Sequence, residues 1–251
     1  MSDSVRIRAV TWDFGETLAT LDAACLARKL ARRGAHVDEA RVIEALPAAW
    51  ETYQRPHAGR GVEGQGSHPW KPLMAAVLAL SGATPARERE ALVDFLFEDQ
   101  CRENLWRKPI AGMIELVREL ALEGVPMAVL SNSEGRLVEL VAELGWTADL
   151  PIVVDSGKVG VEKPDPAIFA LAAESLGVRP EETIHVGDSL RADVGGALDA
   201  GARALWFATP PAYPVPRPPP DRRVLVATNA GEARAALRGV LGLEPREASG
   251  P

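Results

Sequence analysis

The sequence predicts an α/β protein: a doubly wound parallel sheet with helices on both faces and an α-helical domain inserted after the first strand. Two observations carry this expectation. Short apolar runs at 125–130, 151–154, 183–186 and 203–208 alternate with helical patterns, the signature of βαβ units and a parallel sheet. A strand-like run at 5–12 stands apart from them, followed by a helix-rich block from about Leu21 to Trp106. That block is too long for a crossover connection and reads as a domain of its own.

The elements follow in order. The alternating run 5–12 ends at Asp13 and predicts the first strand. Helical periodicity then predicts helices over 21–34, 38–55, 71–81 and 85–105, with the glycine-rich stretch 57–70 as a loop. After Pro109 the pattern changes to helix 109–123, strand 125–130, helix 135–144, strand 151–154, helix 165–176, strand 183–186, helix 191–200 and strand 203–208. Several helices stop at a glycine: Gly124, Gly177 and Gly201. Residues 224–226 predict an edge strand and 231–243 a terminal helix. Between them and the preceding strand, 209–220 holds seven prolines and reads as a solvated linker or a rigid turn. The expected organisation is a core domain of 1–18 and 107–251 with an inserted domain at 19–106.

Composition narrows the function. The chain has 251 residues, 47% of them apolar, which excludes a wholly disordered protein. Lysine and arginine number 28 against 35 aspartates and glutamates, a net charge of −7. That balance argues against non-specific nucleic-acid binding. Cys25 and Cys101 lie in no metal or redox spacing and read as ordinary thiols. No signal peptide and no apolar stretch of membrane-spanning length is visible, so the expectation is a cytoplasmic protein without membrane association, monomeric or homodimeric.

In an open α/β sheet the ligand site lies beyond the carboxyl ends of the strands. The residues there are Asp13, Ser131 and Asp188, with Lys163 in a loop before a helix. Each alone is an ordinary cap or turn residue. Together they suggest phosphoryl transfer. Carboxylates are hard oxygen ligands for Mg²⁺, and one can attack phosphorus. A hydroxyl and an ammonium can hold the non-bridging oxygens.

Four motifs, in order, resemble the haloacid dehalogenase superfamily, in the subfamily with a helical cap after the first strand. They are TWDFGETL (11–18), VLSN (129–132), EKPDPAIF (162–169) and HVGDSLRADVGGALDAG (185–201). The resemblance implies a Rossmann-like core and a helical cap domain. It implies a Mg²⁺-dependent hydrolase, most simply a phosphatase of a small phosphorylated metabolite that works through an aspartyl-phosphate. It implies Asp13 as nucleophile and metal ligand, Ser131 and Lys163 as catalytic and phosphate-binding residues, and Asn132 and Phe14 as phosphate-binding. Asp188, Asp193 and the carbonyl of Gly15 would complete the metal site, with Thr17 supporting the first loop.

The sequence departs from the family at position 15. Phosphatases of the family carry there a second aspartate that serves as general acid and base; this chain has Gly15. Losing such a group costs roughly 10²–10⁴ in rate. Glu16, or His57, Glu63 and His68 on the glycine-rich loop, could supply a proton, or the leaving group could need none. A binding protein with weakened catalysis is the alternative reading. A phosphonate or haloacid hydrolase is the third, and it would draw on a cap lysine among Lys29, Lys71 and Lys108, all expected to be solvated. Trp50, Tyr53, Trp70 and Trp106 are expected in the packing of the helical domain, Arg55 and Arg60 as solvated cations, and His185 as a packed imidazole within its strand.

Overall fold

The computed structural model describes residues 5–54, 70–83, 86–208 and 221–244. The chain divides into two compact units, Met1–Thr20 with Lys108–Pro251, and Leu21–Arg107. In chain order the elements are β1 (Ala9–Trp12), β2 (Ala19–Leu21), α1 (Ala23–Ala31), α2 (Glu39–Gln54), α3 (Trp70–Leu80), α4 (Arg89–Asp99), β3 (Trp106–Pro109), α5 (Met113–Leu122), β4 (Met127–Ser131), α6 (Leu137–Glu143), β5 (Ile152–Asp155), α7 (Ser156–Val159), α8 (Pro166–Ser175), β6 (Thr183–Gly187), α9 (Gly196–Asp199), β7 (Arg203–Phe207), β8 (Val224–Ala227) and α10 (Ala230–Leu241).

Six strands form one parallel sheet in the order β5-β4-β1-β6-β7-β8. Burial follows position in the sheet. Every residue of β1, β4 and β6 is buried, whereas β5 and β8 at the edges are only partly so. Strands covered on both faces are near-continuous apolar runs, and AVTW, MAVLS and TIHVG read so, interrupted by the buried Thr11, Ser131, Thr183 and His185. After β1 the chain builds β4 and β5 on one side, then returns to lay β6 on the other. The reversal opens a crevice at the carboxyl end of β1. One layer of the core packs Ile168, Phe169 and Ala172 of α8 against Leu130, Val194, Ala197 and Ala204.

Several elements differ from the sequence-based expectation, each for a local reason. The first strand starts at Ala9, not at residue 5. The short pair β2 and β3 forms a separate two-stranded sheet that periodicity does not reveal, because WRKP buries only Trp106. β3 also claims Pro109, so the helix expected from 109 begins at Met113, after Gly112 at φ +79°. The helix expected over 85–105 ends at Asp99. Gln100 Oε1 accepts from the Leu105 N–H at 2.9 Å and Asn104 Oδ1 from that of Trp106 at 2.8 Å, so side-chain amides satisfy the turn instead of the helix. The helix expected over 191–200 opens as a π-helical turn, Leu190–Gly195, before α9. Of the loop expected over 57–70, Trp70 instead opens α3, and its other residues, like the proline-rich segment 209–220, lie outside the described residues.

In the unit Leu21–Arg107, α1 is capped by Asp22, whose carboxylate accepts from the Cys25 N–H at 2.9 Å. Trp106 lies 6.3 Å from both Trp50 and Trp70, ring to ring, and Trp70 lies 5.5 Å from Phe97. These aromatics pack on one another. The side chain of Tyr53, like Arg55, His57, Arg60, Glu63 and His68, is outside the described residues. Lys71 and Lys108 are exposed, and Lys71 pairs with Asp94 at 2.7 Å. Lys29 corrects the expectation of a solvated lysine. It is fully buried, 2.8 Å from Asp99 Oδ2, and also donates to the carbonyl of Glu103. An aliphatic stem on the apolar face of α1 with a carboxylate on α4 to meet it makes that burial tolerable.

Lys29→Met leaves Asp99 buried with little compensation and is expected to cost about 3–5 kcal/mol in urea denaturation, while Lys29→Met with Asp99→Leu recovers most of that loss.

Candidate active site

Parallel pairing brings the chemistry-bearing side chains to one edge. β1 lies between β4 and β6, in a register that pairs Thr11 with His185 and Trp12 with Val129. Asp13 follows β1 directly, its N–H donating to the Val186 carbonyl at 2.8 Å. Ser131 closes β4, and Gly187 closes β6 with Asp188 next in the chain. Lys163 enters from the loop before α8 and precedes a cis peptide to Pro164.

The centre of the arrangement is the ammonium of Lys163. Its Nζ lies 2.6 Å from Asp13 Oδ1 and 2.6 Å from Asp193 Oδ1, and all three side chains are buried. Two of its three protons are thereby committed, leaving one for a further acceptor. Ser131 Oγ donates to the same Asp13 Oδ1 at 2.7 Å. Among the described residues no hydrogen bond engages Asp13 Oδ2. The Lys163 backbone is clamped by the Asn132 amide, which donates to its carbonyl at 3.0 Å and accepts from its N–H at 2.8 Å.

Asp193 reaches the site because the π-helical turn folds it back over the end of β6. Its Oδ2 accepts from the Ser189 N–H at 2.8 Å, and its Oδ1 lies 3.1 Å from His185 Nε2. The approach requires glycine at 187, where a Cβ would lie 2.3 Å from the Asp193 Cγ. The Asp188 carbonyl accepts from Trp206 Nε1 at 2.8 Å, which ties it to β7.

Electrostatics follow from this crowding. Burial raises the Asp13 carboxyl above its ordinary range; Lys163 opposes that effect and Asp193 adds to it. Burial would also lower Lys163, but Asp13 and Asp193 on either side raise it, so the ammonium stays charged. Asp193 goes the other way: burial is outweighed by Lys163 and by the His185 hydrogen bond, and its carboxyl lies below the usual range. Half-buried Asp188 is pushed well above the carboxylate range by desolvation and by Asp193, Asp13 and Glu16. Lys163 opposes these effects but does not offset them.

The residues fit a hard divalent cation. One oxygen each from Asp13, Asp188 and Asp193 lies within 4.8 Å of the others. When all three carboxylates are ionised against one ammonium, two negative charges stand uncompensated. Two like charges at such a distance repel by roughly 3–4 kcal/mol at an effective dielectric constant of about 20. An ion such as Mg²⁺ takes oxygen ligands of this kind, and its charge matches the excess.

The remaining expected site residues are placed as follows. Phe14 buries its ring, 5.8 Å from that of Trp146, so only its backbone is available to a ligand. Gly15 forms an isolated bridge with Ala19, in the turn between β1 and β2. Glu16 adopts φ +54°, which is uncommon for a residue with a side chain. Its carboxylate oxygens both lie 2.9 Å from Thr20 Oγ1, and its charge reaches Asp188. Thr17 is fully buried, and its hydroxyl has no hydrogen-bond partner among the described residues. Sequence patterning assigns no role to Thr11, Ser189, Trp206 or Asp155. Asp155 accepts from the N–H groups of Gly135, Leu137 and Gly157 at 2.9–3.1 Å, fixing the loop after Ser131. Strand alternation offers a signal for Thr11, which stands two residues before Asp13 and on the same face. Nothing local marks the other three.

Residues 7–201 match the family described as haloacid dehalogenase-like hydrolases. Haloacid dehalogenase-like hydrolase domain-containing protein 3 of Mus musculus is 28% identical over 215 residues, covering 83% of this chain and 84% of that protein. The phosphoserine phosphatase of Thermus thermophilus is 34% identical over 182 residues, covering 72% of this chain and 70% of that protein. A crystal structure of a family hydrolase from Deinococcus radiodurans, holding phosphate and sodium, superimposes with a TM-score of 0.61 at 25% identity, covering 96% of this chain and all of that one. The match over most of the chain and the parallel sheet with its acidic rim agree: the chain is a hydrolase and belongs to the haloacid dehalogenase-like hydrolase family.

Proposed function

We propose that this protein is a Mg²⁺-dependent phosphatase of a small phosphorylated metabolite and works through an aspartyl-phosphate on Asp13. The observation that carries this reading is the Asp13 carboxylate, aimed by Ser131 and Lys163 through one oxygen while the other takes no hydrogen bond among the described residues. The phosphatase named among the relatives and the phosphate held by the similar Deinococcus structure support it. The helical unit Leu21–Arg107 is read as the cap that selects the substrate.

In this mechanism Asp13 attacks phosphorus, a P–O bond forms to its carboxylate, and the bond to the leaving oxygen breaks. Water then attacks the phosphorus of the aspartyl-phosphate, releasing phosphate and restoring Asp13. Lys163 and Ser131 already converge on Asp13 Oδ1, so they can follow charge onto the transferring oxygens with little rearrangement. Asp13 and Asp188, with Asp193 behind them, would hold Mg²⁺, joined by the Gly15 carbonyl. When bound, the ion neutralises charge on the phosphoryl group and polarises it.

Gly15 offers no acid to the leaving oxygen, so catalysis at that step is altered. Phosphates whose leaving groups depart as stable anions, such as acyl or aryl esters, suit the site best. Gly15 also motivates a second reading, a protein that binds a phosphorylated ligand with weakened turnover. The buried pairing of Lys29 with Asp99 removes one amine that a phosphonate hydrolase could have used.

With Mg²⁺, p-nitrophenyl phosphate and acetyl phosphate are expected to be turned over, and Asp13→Asn should lower the rate by roughly 10³-fold or more. Silence on a broad phosphorylated-metabolite panel, with Mg²⁺ still binding, would favour the second reading. Gly15→Asp is expected to raise turnover of alkyl phosphates by about 10²-fold or more, with much less effect on acetyl phosphate; an unchanged alkyl rate would place the proton donor elsewhere.

Stability against pH tests the cation site separately. With its carboxyl pushed above the ordinary range by desolvation and by its acidic neighbours, Asp188 binds a proton more tightly in the native metal-free state than in the unfolded chain, so its contribution to stability falls as pH rises through and above the ordinary carboxylate range. Saturating Mg²⁺ should flatten that fall. Asp188→Asn should raise the metal-free melting temperature, by about 2–4 °C for each kcal/mol of relieved repulsion, and abolish the Mg²⁺-induced shift.

A further inference from the structure

We propose that Thr11 and His185 are positioning residues for Asp193, and through it for Lys163, an inference that rests on the reading of the site as a phosphatase centre. The two face each other across β1 and β6 as register partners. Thr11 Oγ1 lies 2.8 Å from His185 Nδ1, and His185 Nε2 lies 3.1 Å from Asp193 Oδ1. Phe169 stands edge-on to the imidazole, 5.2 Å away at 88°, and fixes its plane. The chain of contacts runs from a buried hydroxyl through a buried ring to a carboxylate, then to the lysine shared with Asp13.

Only one arrangement of protons satisfies this chain with a neutral ring. The Asp193 carboxylate accepts and cannot donate, so Nε2 carries the hydrogen and donates to it. Nδ1 then accepts from the Thr11 hydroxyl. Asp193 therefore selects the tautomer, and the Thr11 hydroxyl, by donating to Nδ1, holds the ring in it; the tautomer decides whether Asp193 Oδ1 has one donor or two. With His185 and Lys163 on Oδ1 and the Ser189 N–H on Oδ2, rotation of the carboxylate breaks contacts at both oxygens. With His185 in the other tautomer, a lone pair would face Oδ1. Asp193 would then swing away, taking with it one of the two anchors of Lys163. The same logic governs metal-binding carboxylates generally, whose outer partners fix ligand orientation.

The test has three parts. In metal-free protein carrying ¹⁵N-labelled histidine, long-range ¹H–¹⁵N correlation spectra, with the His185 signals assigned by their loss in His185→Gln, should show the Nε2–H tautomer; an Nδ1–H tautomer overturns the proposal. Thr11→Val should lower kcat on p-nitrophenyl phosphate by about 10-fold with KM nearly unchanged, and weaken Mg²⁺ binding in calorimetric titration by a similar factor. Thr11→Ser keeps the hydroxyl and should restore both to within about threefold. A Thr11→Val protein with the wild-type kcat and Mg²⁺ affinity overturns the proposal whatever its melting temperature, since a merely structural role would move only the latter. If Thr11→Val does not fold, the wild-type tautomer decides. If wild-type protein turns over no phosphate ester, the phosphatase reading fails, and the tautomer and the Mg²⁺ titrations still judge Thr11 and His185.

Discussion

The sharing of one buried ammonium by two carboxylates organises everything at this sheet edge. Lys163 cannot be buried without anions, and Asp13 and Asp193 cannot be brought together without a cation between them. The three groups therefore hold one another in place across three separate stretches of chain. Desolvation, which penalises each of them alone, strengthens their mutual attraction once they are assembled. Asp188 stands outside this bargain. It faces the charge of Asp193, Asp13 and Glu16 with only partial relief from Lys163, and that imbalance makes the site receptive to a dication.

The supports of this centre are mostly backbone and amide contacts, and they come from every neighbouring element. Asn132 clamps the lysine's main chain, Asp155 gathers three N–H groups around the loop after β4, and Trp206 reaches from β7 to the carbonyl beside the second carboxylate. The contacts of Asp155 and Trp206 do their work without touching a substrate. Their effect is to keep loops, which would otherwise be mobile, in fixed relation to a rigid sheet.

Much of this was legible in the amino-acid sequence, and the boundary of legibility is physical. Strands buried on both faces are short apolar runs, so β1, β4, β6 and β7 stand out. Because they are parallel, their terminal Asp13, Ser131 and Asp188 had to meet. Lys163 stands out as the amine in a loop before a helix at the same edge, and Asp193 only through motif resemblance, which carries spacing that periodicity lacks. What stayed hidden depended on distant partners. WRKP gives no strand signal because half of it faces solvent. The π-helical turn at 190–195 looks like any helix in its apolar spacing. Lys29 is indistinguishable from a solvated lysine until Asp99, far along the chain, is placed beside it. The second histidine contact, to Thr11, exists only because of a strand register that no local pattern encodes.

The indole of Trp206 has one further consequence. Its N–H is bonded to the main chain at the acidic rim while its ring belongs to the apolar layer beneath. A shift of charge or geometry at that carbonyl is felt directly by a chromophore whose emission depends on its surroundings. The fold has thus placed an intrinsic optical probe one peptide away from the carboxylates, and ligand arrival there can be followed without attaching a dye.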